Sequence, residues 1–168
     1  KKKEVQLMTE SCGGYALGID CDITKNDQIE EAFKEIIKSF GGIDILISNA
    51  GAAWEGSIAN MDESIFRKSM DLNLFAHYNV SKKAIEIFHS QDFLENNPKN
   101  FLGGQILFNI SKQALNPGPN FGSYGISKAA LLALMRQISL EEGRNQIRSN
   151  GINADRIKSG LLNKEMIE

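Results

Sequence analysis

Cysteine is scarce: Cys12 and Cys21 are the only two in 168 residues. That excludes a disulfide framework and leaves too few thiols for a cysteine zinc site. Both are expected to be reduced, which points to a cytoplasmic setting. Long apolar runs are missing as well. No segment reads as a bilayer-spanning helix, and no signal peptide is visible at the N-terminal end. Without a secretory signal, the sequons Asn79-Val-Ser81 and Asn109-Ile-Ser111 read as chance matches. Neither sign of charge dominates: 19 basic against 21 acidic residues give a net charge of -2, which supplies no basic face for nucleic acid. Lys1-Lys2-Lys3 reads as a solvated end. Internal repeats, low-complexity tracts and a clear inter-domain linker are absent. The first residue is not Met, which suggests processing, a fragment, or an N-terminus that lies further upstream. A small-molecule partner is expected, with no membrane, nucleic acid or metal.

What is present suits one domain with a real core: 42% of residues are hydrophobic and 24% charged. Tyr15 to Asp20 reads as a short strand. Thr24-Lys-Asn-Asp27 has the pattern of a capping box, and Ile29, Phe33, Ile36, Ile37 and Phe40 follow as an apolar stripe at helical spacing. Gly41-Gly42 ends that helix. Ile43 to Ser48 is a second strand whose continuous apolar core, Ile45-Leu46-Ile47, predicts cover on both faces. Asp62 caps a long helix that carries Phe66, Met70, Asn73, His77, Ala84, Ile85 and Phe88 near one face. Gln91 to Gly104 reads as a surface loop, and Gln105 to Ile110 as a buried strand. Asn116-Pro117-Gly118-Pro119-Asn120 is a rigid turn. Gly122 to about Glu142 is a long helix with Leu131, Met135 and Ile138 facing the core. Ile147 to Asn153 is a fourth strand, and Gly160 to Glu168 looks helical. Strands alternating with helices predict an α/β fold with a parallel sheet, whose ligands sit beyond the C-terminal strand ends. Asp22, Asn49-Ala50-Gly51, Ser111 and Asn153 fall at such ends.

Tyr124 and Lys128 stand four residues apart on a predicted helix, so they share one face. A cation beside a phenol favours the phenolate and moves Tyr towards the range useful for general acid/base work. The bland reading is a solvated Lys over a helical Tyr.

The register of the surrounding residues resembles the short-chain dehydrogenase/reductase family, from about Tyr15 to Met166. Ser48-Asn49-Ala50-Gly51 resembles the family's Asn-Asn-Ala-Gly motif, with Ser in place of the first Asn. Asp22-Ile23-Thr24 is similar to its acidic turn near adenine, although a cap or turn role suits Asp22 as well. Ser111 lies thirteen residues before Tyr124, as the family requires. The resemblance implies a doubly wound, Rossmann-like sheet, truncated at both ends, in a single domain over 1–168. It implies a catalytic tetrad of Asn73, Ser111, Tyr124 and Lys128. Tyr124 would exchange a proton with the substrate oxygen, Ser111 would orient that oxygen, Lys128 would lower the Tyr124 pKa and hold the nicotinamide ribose, and Asn73 would anchor a relay water. The cofactor would be NAD or NADP, with NAD favoured, contacted by Asp22, Ile23, Asn49, Ala50, Gly51, Tyr124, Lys128, Ile157 and Ser159. Ser111, Gln113, Asn120 and Arg156 are the candidate substrate contacts. Gln113, Asn116 and Asn120 have an alternative role in bracing the Pro-Gly-Pro turn. Arg156 has one in pairing with Asp155. His77 and His89 read as structural or surface residues, and Trp54 either lines the site or packs.

The runs 108–122 and 153–162 further resemble the dehydrogenase half of bifunctional rhamnulose-1-phosphate aldolase/short-chain dehydrogenase proteins. That likeness implies lactaldehyde oxidised to lactate, with an aldolase domain upstream. A ketone or sugar-alcohol reductase of the same family and a non-catalytic oligomerisation module are the competing readings. Family resemblance also implies a homodimer or homotetramer paired through Asp62–Phe88 and Gly122–Glu142. Two departures stand out. Asn153-Ala154-Asp155 replaces the usual Asn-Pro-Gly, which puts the Ile157 and Ser159 contacts in question. The glycine-rich Gly-x-x-x-Gly-x-Gly phosphate loop has no counterpart in the chain.

Overall fold

A computed structural model describes Leu7, Ser11, 15–92 and 103–155. Lys1-Lys2-Lys3, Cys12, most of the expected 91–104 loop, Arg156, Ile157, Ser159 and the helix expected over 160–168 lie outside the described residues. The first helix, α1 (Asn26–Phe40), ends where Gly41 takes φ 81° and donates its N–H to Ile37 C=O. That left-handed backbone suits glycine. Strand β1 (Ile45–Ser48) follows. Next come α2 (Glu63–Met70), a π-helical turn (Asp71–Phe75) and α3 (Ala76–Asp92), which continue one another. Asp62 caps α2 as expected, accepting from Ser64 N–H at 2.7 Å. Strand β2 (Gln105–Asn109), α4 (Gly122–Glu142) and β3 (Arg148–Ile152) follow, with short 3-10 turns at Lys112–Ala114 and Gly143–Asn145.

The three strands pair in parallel in the order β1-β2-β3, with Ile45 opposite Gln105 and Gln105 opposite Arg148. Side chains alternate across such a sheet, so Leu46, Ser48, Ile106, Phe108 and Ser149 share one face. That face meets Phe88, Ala84 and Leu131 from α3 and α4, and Ile29 and Phe33 of α1 belong to the same core. Phe88 and Phe108 are almost fully buried, and each contributes about 1.5–3 kcal/mol relative to an exposed ring.

The opposite face carries Ile45, Leu107 and Ile47 and stays open: Ile45 is 56% and Ile47 66% exposed. The expectation that this strand core is covered on both faces fails among the described residues, because their helices all pack on one side. Tyr15–Asp20 is not a strand either. Among the described residues no backbone pairs with it, and Tyr15 instead meets Phe40 edge-on at 5.3 Å. Thr24 does not cap α1. The cap position is Lys25, without a side-chain cap, because the Thr24 N–H and hydroxyl both donate to Asp22 Oδ1, at 3.0 and 2.7 Å. Among the described residues, no helix is long and apolar enough to cross a membrane.

Candidate functional site

The turn after β1 is the hub of the site. Asn73 is fully buried in the π-helical turn. Ala76 N–H there reaches back five residues to Asp71 C=O, and such widened turns recur at functional sites. Asn73 grips Ala52 at both backbone groups: Oδ1 accepts from Ala52 N–H at 3.1 Å, and Nδ2 donates to Ala52 C=O at 2.9 Å. A third bond runs from Nδ2 to Ser69 Oγ at 3.2 Å. Both N–H donors and the oxygen of this carboxamide therefore have a partner, with one oxygen lone pair left over. Gly51 lies tight against the same group. A methyl there would sit 3.0 Å from Asn73 Oδ1 and 3.6 Å from Lys128 Nζ.

Lys128 is 2% exposed. Burial pushes its pKa down to about 8, since charge is disfavoured away from water. Its ammonium donates to Asn109 C=O at 2.8 Å and lies 5.7 Å from the Tyr124 ring centre. Asn109 Nδ2 donates in turn to Asn49 Oδ1 at 2.8 Å, so Asn109 joins the β1 turn to Lys128. Tyr124 and Lys128 do share one face of α4. The expected pKa effect is different, however. Burial raises the Tyr124 phenol above its usual value, and a hydrogen bond with Ser111 opposes that rise. The Lys128 ammonium is bonded to the Asn109 carbonyl and does not offset that rise. Ser111 sits just past β2, where its oxygen also accepts from Gln113 N–H at 3.2 Å.

The outer residues are spread more widely. Asp22 lines an open cleft of about 720 Å³ with Lys25, Trp54, Lys68, Leu72 and Phe75. None of the four tetrad side chains lines that cleft, so the chemistry is located by the cluster and not by the cavity. Thr24's bonds hold the Asp22 carboxyl below the usual range. Ile23 packs against the core, and Lys68 stands 5.1 Å over the Trp54 ring. Gln113 braces the turn, its Oε1 accepting from Gly118 N–H at 2.6 Å. Asn120 is exposed in a left-handed conformation, φ 63°, and its carbonyl accepts from Gly56 N–H at 2.8 Å. Asp155 pairs with Lys112 at 3.0 Å, and Lys112 N–H donates to Ala154 C=O at 2.8 Å. The loop after β3 is thus tied to the loop after β2. Arg156, Ile157 and Ser159 are outside the described residues.

Sequence reasoning passed over two members of this network. Asn109 acts through its carbonyl as well as its side chain, and a backbone group leaves no sequence signal. His77 is fully buried, with Nδ1 2.6 Å from Ser48 Oγ and Nε2 2.9 Å from Ala50 O. Its position one turn after Asn73 was the available signal. Burial, with the Lys128 charge second, pulls its pKa down to about 4 against the raising effect of the Ala50 carbonyl. The other histidine, His89, pairs with Glu142 at 2.7 Å and is structural.

Lys128 and the 49–51 turn have the chemistry to hold a nicotinamide ribose. Lys128 has protons beyond the one given to Asn109, Asn49 and Ala50 are exposed, and Gly51 leaves room for close backbone approach. Comparisons with known proteins bear on the family. The sequence profile described as short chain dehydrogenase matches residues 1–166. An uncharacterised oxidoreductase of Thermotoga maritima is 33% identical over 153 residues, covering 90% of this chain and 56% of that protein. The 7alpha-hydroxysteroid dehydrogenase of Escherichia coli is 32% identical over 143 residues, 85% of this chain and 52% of its own. A solved 7alpha-hydroxysteroid dehydrogenase, complexed with NADH and 7-oxo glycochenodeoxycholic acid, superposes with a TM-score of 0.80 at 30% identity, over 90% of this chain and 55% of that one. The chain spans about half the length of the curated relatives it matches. On fold, motif register and sequence profile together, the chain belongs to the short-chain dehydrogenase/reductase family.

Proposed function

We propose that this chain carries the proton-transfer half of a nicotinamide-dependent oxidoreductase that acts on a small hydroxyl, aldehyde or ketone substrate. The observation that carries the reading is the cluster itself. The Ser111 hydroxyl acts on the Tyr124 phenol, opposing the rise that burial gives its pKa, and the Lys128 ammonium lies 5.7 Å from the centre of the same ring. When bound, the nicotinamide supplies the hydride acceptor or donor. Tyr124 Oη exchanges the proton of the substrate oxygen, Ser111 Oγ orients that oxygen, and Lys128 holds ribose hydroxyls and neutralises developing negative charge. Asn73 fixes the Gly51-Ala52 backbone beside Lys128.

NAD is the favoured cofactor, on the likeness to a relative solved with NADH at 30% identity. Lactaldehyde is the first candidate substrate. It rests on the 108–122 and 153–162 runs and on the upstream aldolase domain they imply. Lys112 bonds to Ala154 and Asp155 join those two runs.

The test is Tyr124→Phe in the complete protein. Turnover of lactaldehyde should fall by roughly 10²–10⁴-fold, while calorimetry should give an unchanged cofactor affinity. Wild-type turnover in that variant would remove Tyr124 from the chemistry. A second reading, reduction of a ketone or sugar-derived carbonyl, has its own support. Burial favours the phenol form of Tyr124, the form that protonates a carbonyl oxygen. Assays in both directions with a hydroxy and an oxo substrate separate the two.

A further inference from the structure

The β1 turn is held at two points by residues one helical turn apart. Asn73 takes Ala52, and His77 takes the groups on either side of Asn49. The Ala50 carbonyl can only accept, so His77 Nε2 carries the proton. A neutral ring then presents Nδ1 as an acceptor, and the Ser48 hydroxyl donates to it. Ser48 and His77 are at most 5% exposed, so the bond between them has no water as a ready substitute. Ser48 is also the position at which Ser48-Asn49-Ala50-Gly51 departs from the Asn-Asn-Ala-Gly pattern. The departure thus meets a histidine that the tetrad does not use.

Asn49, between the two gripped residues, is the acceptor for Asn109 Nδ2, and the Asn109 carbonyl receives the Lys128 ammonium. An unbroken set of bonds therefore runs from His77 to the amine expected to hold the ribose. We propose that Ser48 and His77 form a buried positioning pair that sets the 49–51 turn and, through Asn49 and Asn109, the Lys128 ammonium for the nicotinamide ribose. The proposal rests on the oxidoreductase reading above. It adds two residues that touch neither substrate nor cofactor.

The experiment compares Ser48→Ala, His77→Leu, His77→Gln and Tyr124→Phe in the complete protein, with steady-state kinetics and direct cofactor titration. Loss of one buried hydrogen bond in Ser48→Ala should raise the cofactor KM about fivefold, with kcat changed by less than about twofold. His77→Leu removes both bonds and should raise it at least about tenfold. His77→Gln can still reach the Ala50 carbonyl with its amide and should return KM to the Ser48→Ala level. A purely structural histidine would change stability and leave the KM-against-kcat split and the glutamine rescue unseen. A wild-type cofactor KM in Ser48→Ala and in folded His77→Leu overturns the pair, as does His77→Gln behaving like His77→Leu. If His77→Leu does not fold, Ser48→Ala decides the matter alone. Full activity in Tyr124→Phe would instead overturn the oxidoreductase reading, and the titrated cofactor affinities would still report on the pair.

Discussion

A buried ammonium must be neutralised, paired or tolerated at a cost, and among the described residues the Lys128 ammonium meets the Asn109 carbonyl and no carboxylate. Its folded pKa of about 8 lies below the unfolded value of 10.5. The penalty is therefore fully present below about pH 8 and is relieved as pH rises towards 10.5. At neutral pH it amounts to about 3 kcal/mol, partly offset by the hydrogen bond to Asn109. Function and stability pull apart at this residue, as they commonly do at active sites. Lys128→Met should abolish turnover and raise the unfolding free energy by about 1 kcal/mol, because the lost carbonyl bond returns part of the gain. Urea unfolding at pH 7 checks the sign. A clear drop in stability would mean that the ammonium is held by more than the structure accounts for.

At the scale of elements, the π-helical turn decides where Asn73 points. An i→i+5 turn holds one residue more than an α-helical turn, so the flanking helices stay in phase while the residues inside are displaced outward. Phe75, in that turn, is 53% exposed. Deleting it lets α2 and α3 close as one α-helix and withdraws Asn73 from Ala52. Helical circular dichroism should be kept and turnover should fall more than about tenfold, since the remaining core contacts are untouched. Retained turnover would separate the Asn73–Ala52 clamp from activity. The helix itself was legible from its apolar spacing and from the Asp62 cap, and α4 appears over the span its sequence predicts. The π turn was not legible, because Asp71-Leu-Asn-Leu-Phe75 carries no Gly or Pro and reads as ordinary helix. The order of Asn73, Ser111, Tyr124 and Lys128 was legible because it rests on sequence spacing. The carbonyl of Asn109 and the Ser48–His77 bond were not, because they depend on which groups meet across the sheet. The strand expected at Tyr15 failed for a similar reason: a strand exists only with a partner edge.

For the whole molecule, three parallel strands with helices on one face make half of a doubly wound sheet among the described residues. Ile45 and Ile47 stand exposed on the opposite face. The site sits at the C-terminal ends of those strands, and its buried side is the helix-covered one, so site protonation and global stability are linked. His77 shows the linkage most directly. Its folded pKa of about 4 lies below the unfolded value of 6.5, so the unfolded chain binds a proton more readily between those values. The stability contributed by neutral His77 is complete above about pH 6.5 and is lost as pH falls towards 4. Between pH 7.5 and pH 5 the loss should be about 2 kcal/mol. Asp22 and Asp62, whose pKa values are lowered from 3.8, titrate below that window. Comparing denaturant unfolding across pH 7.5 to 5 in the wild type and in His77→Gln therefore isolates His77. His77→Gln, which cannot take up the proton, should flatten the slope in this range. The same steep slope in the glutamine variant would assign the proton to another group and would leave His77 uncoupled from the fold.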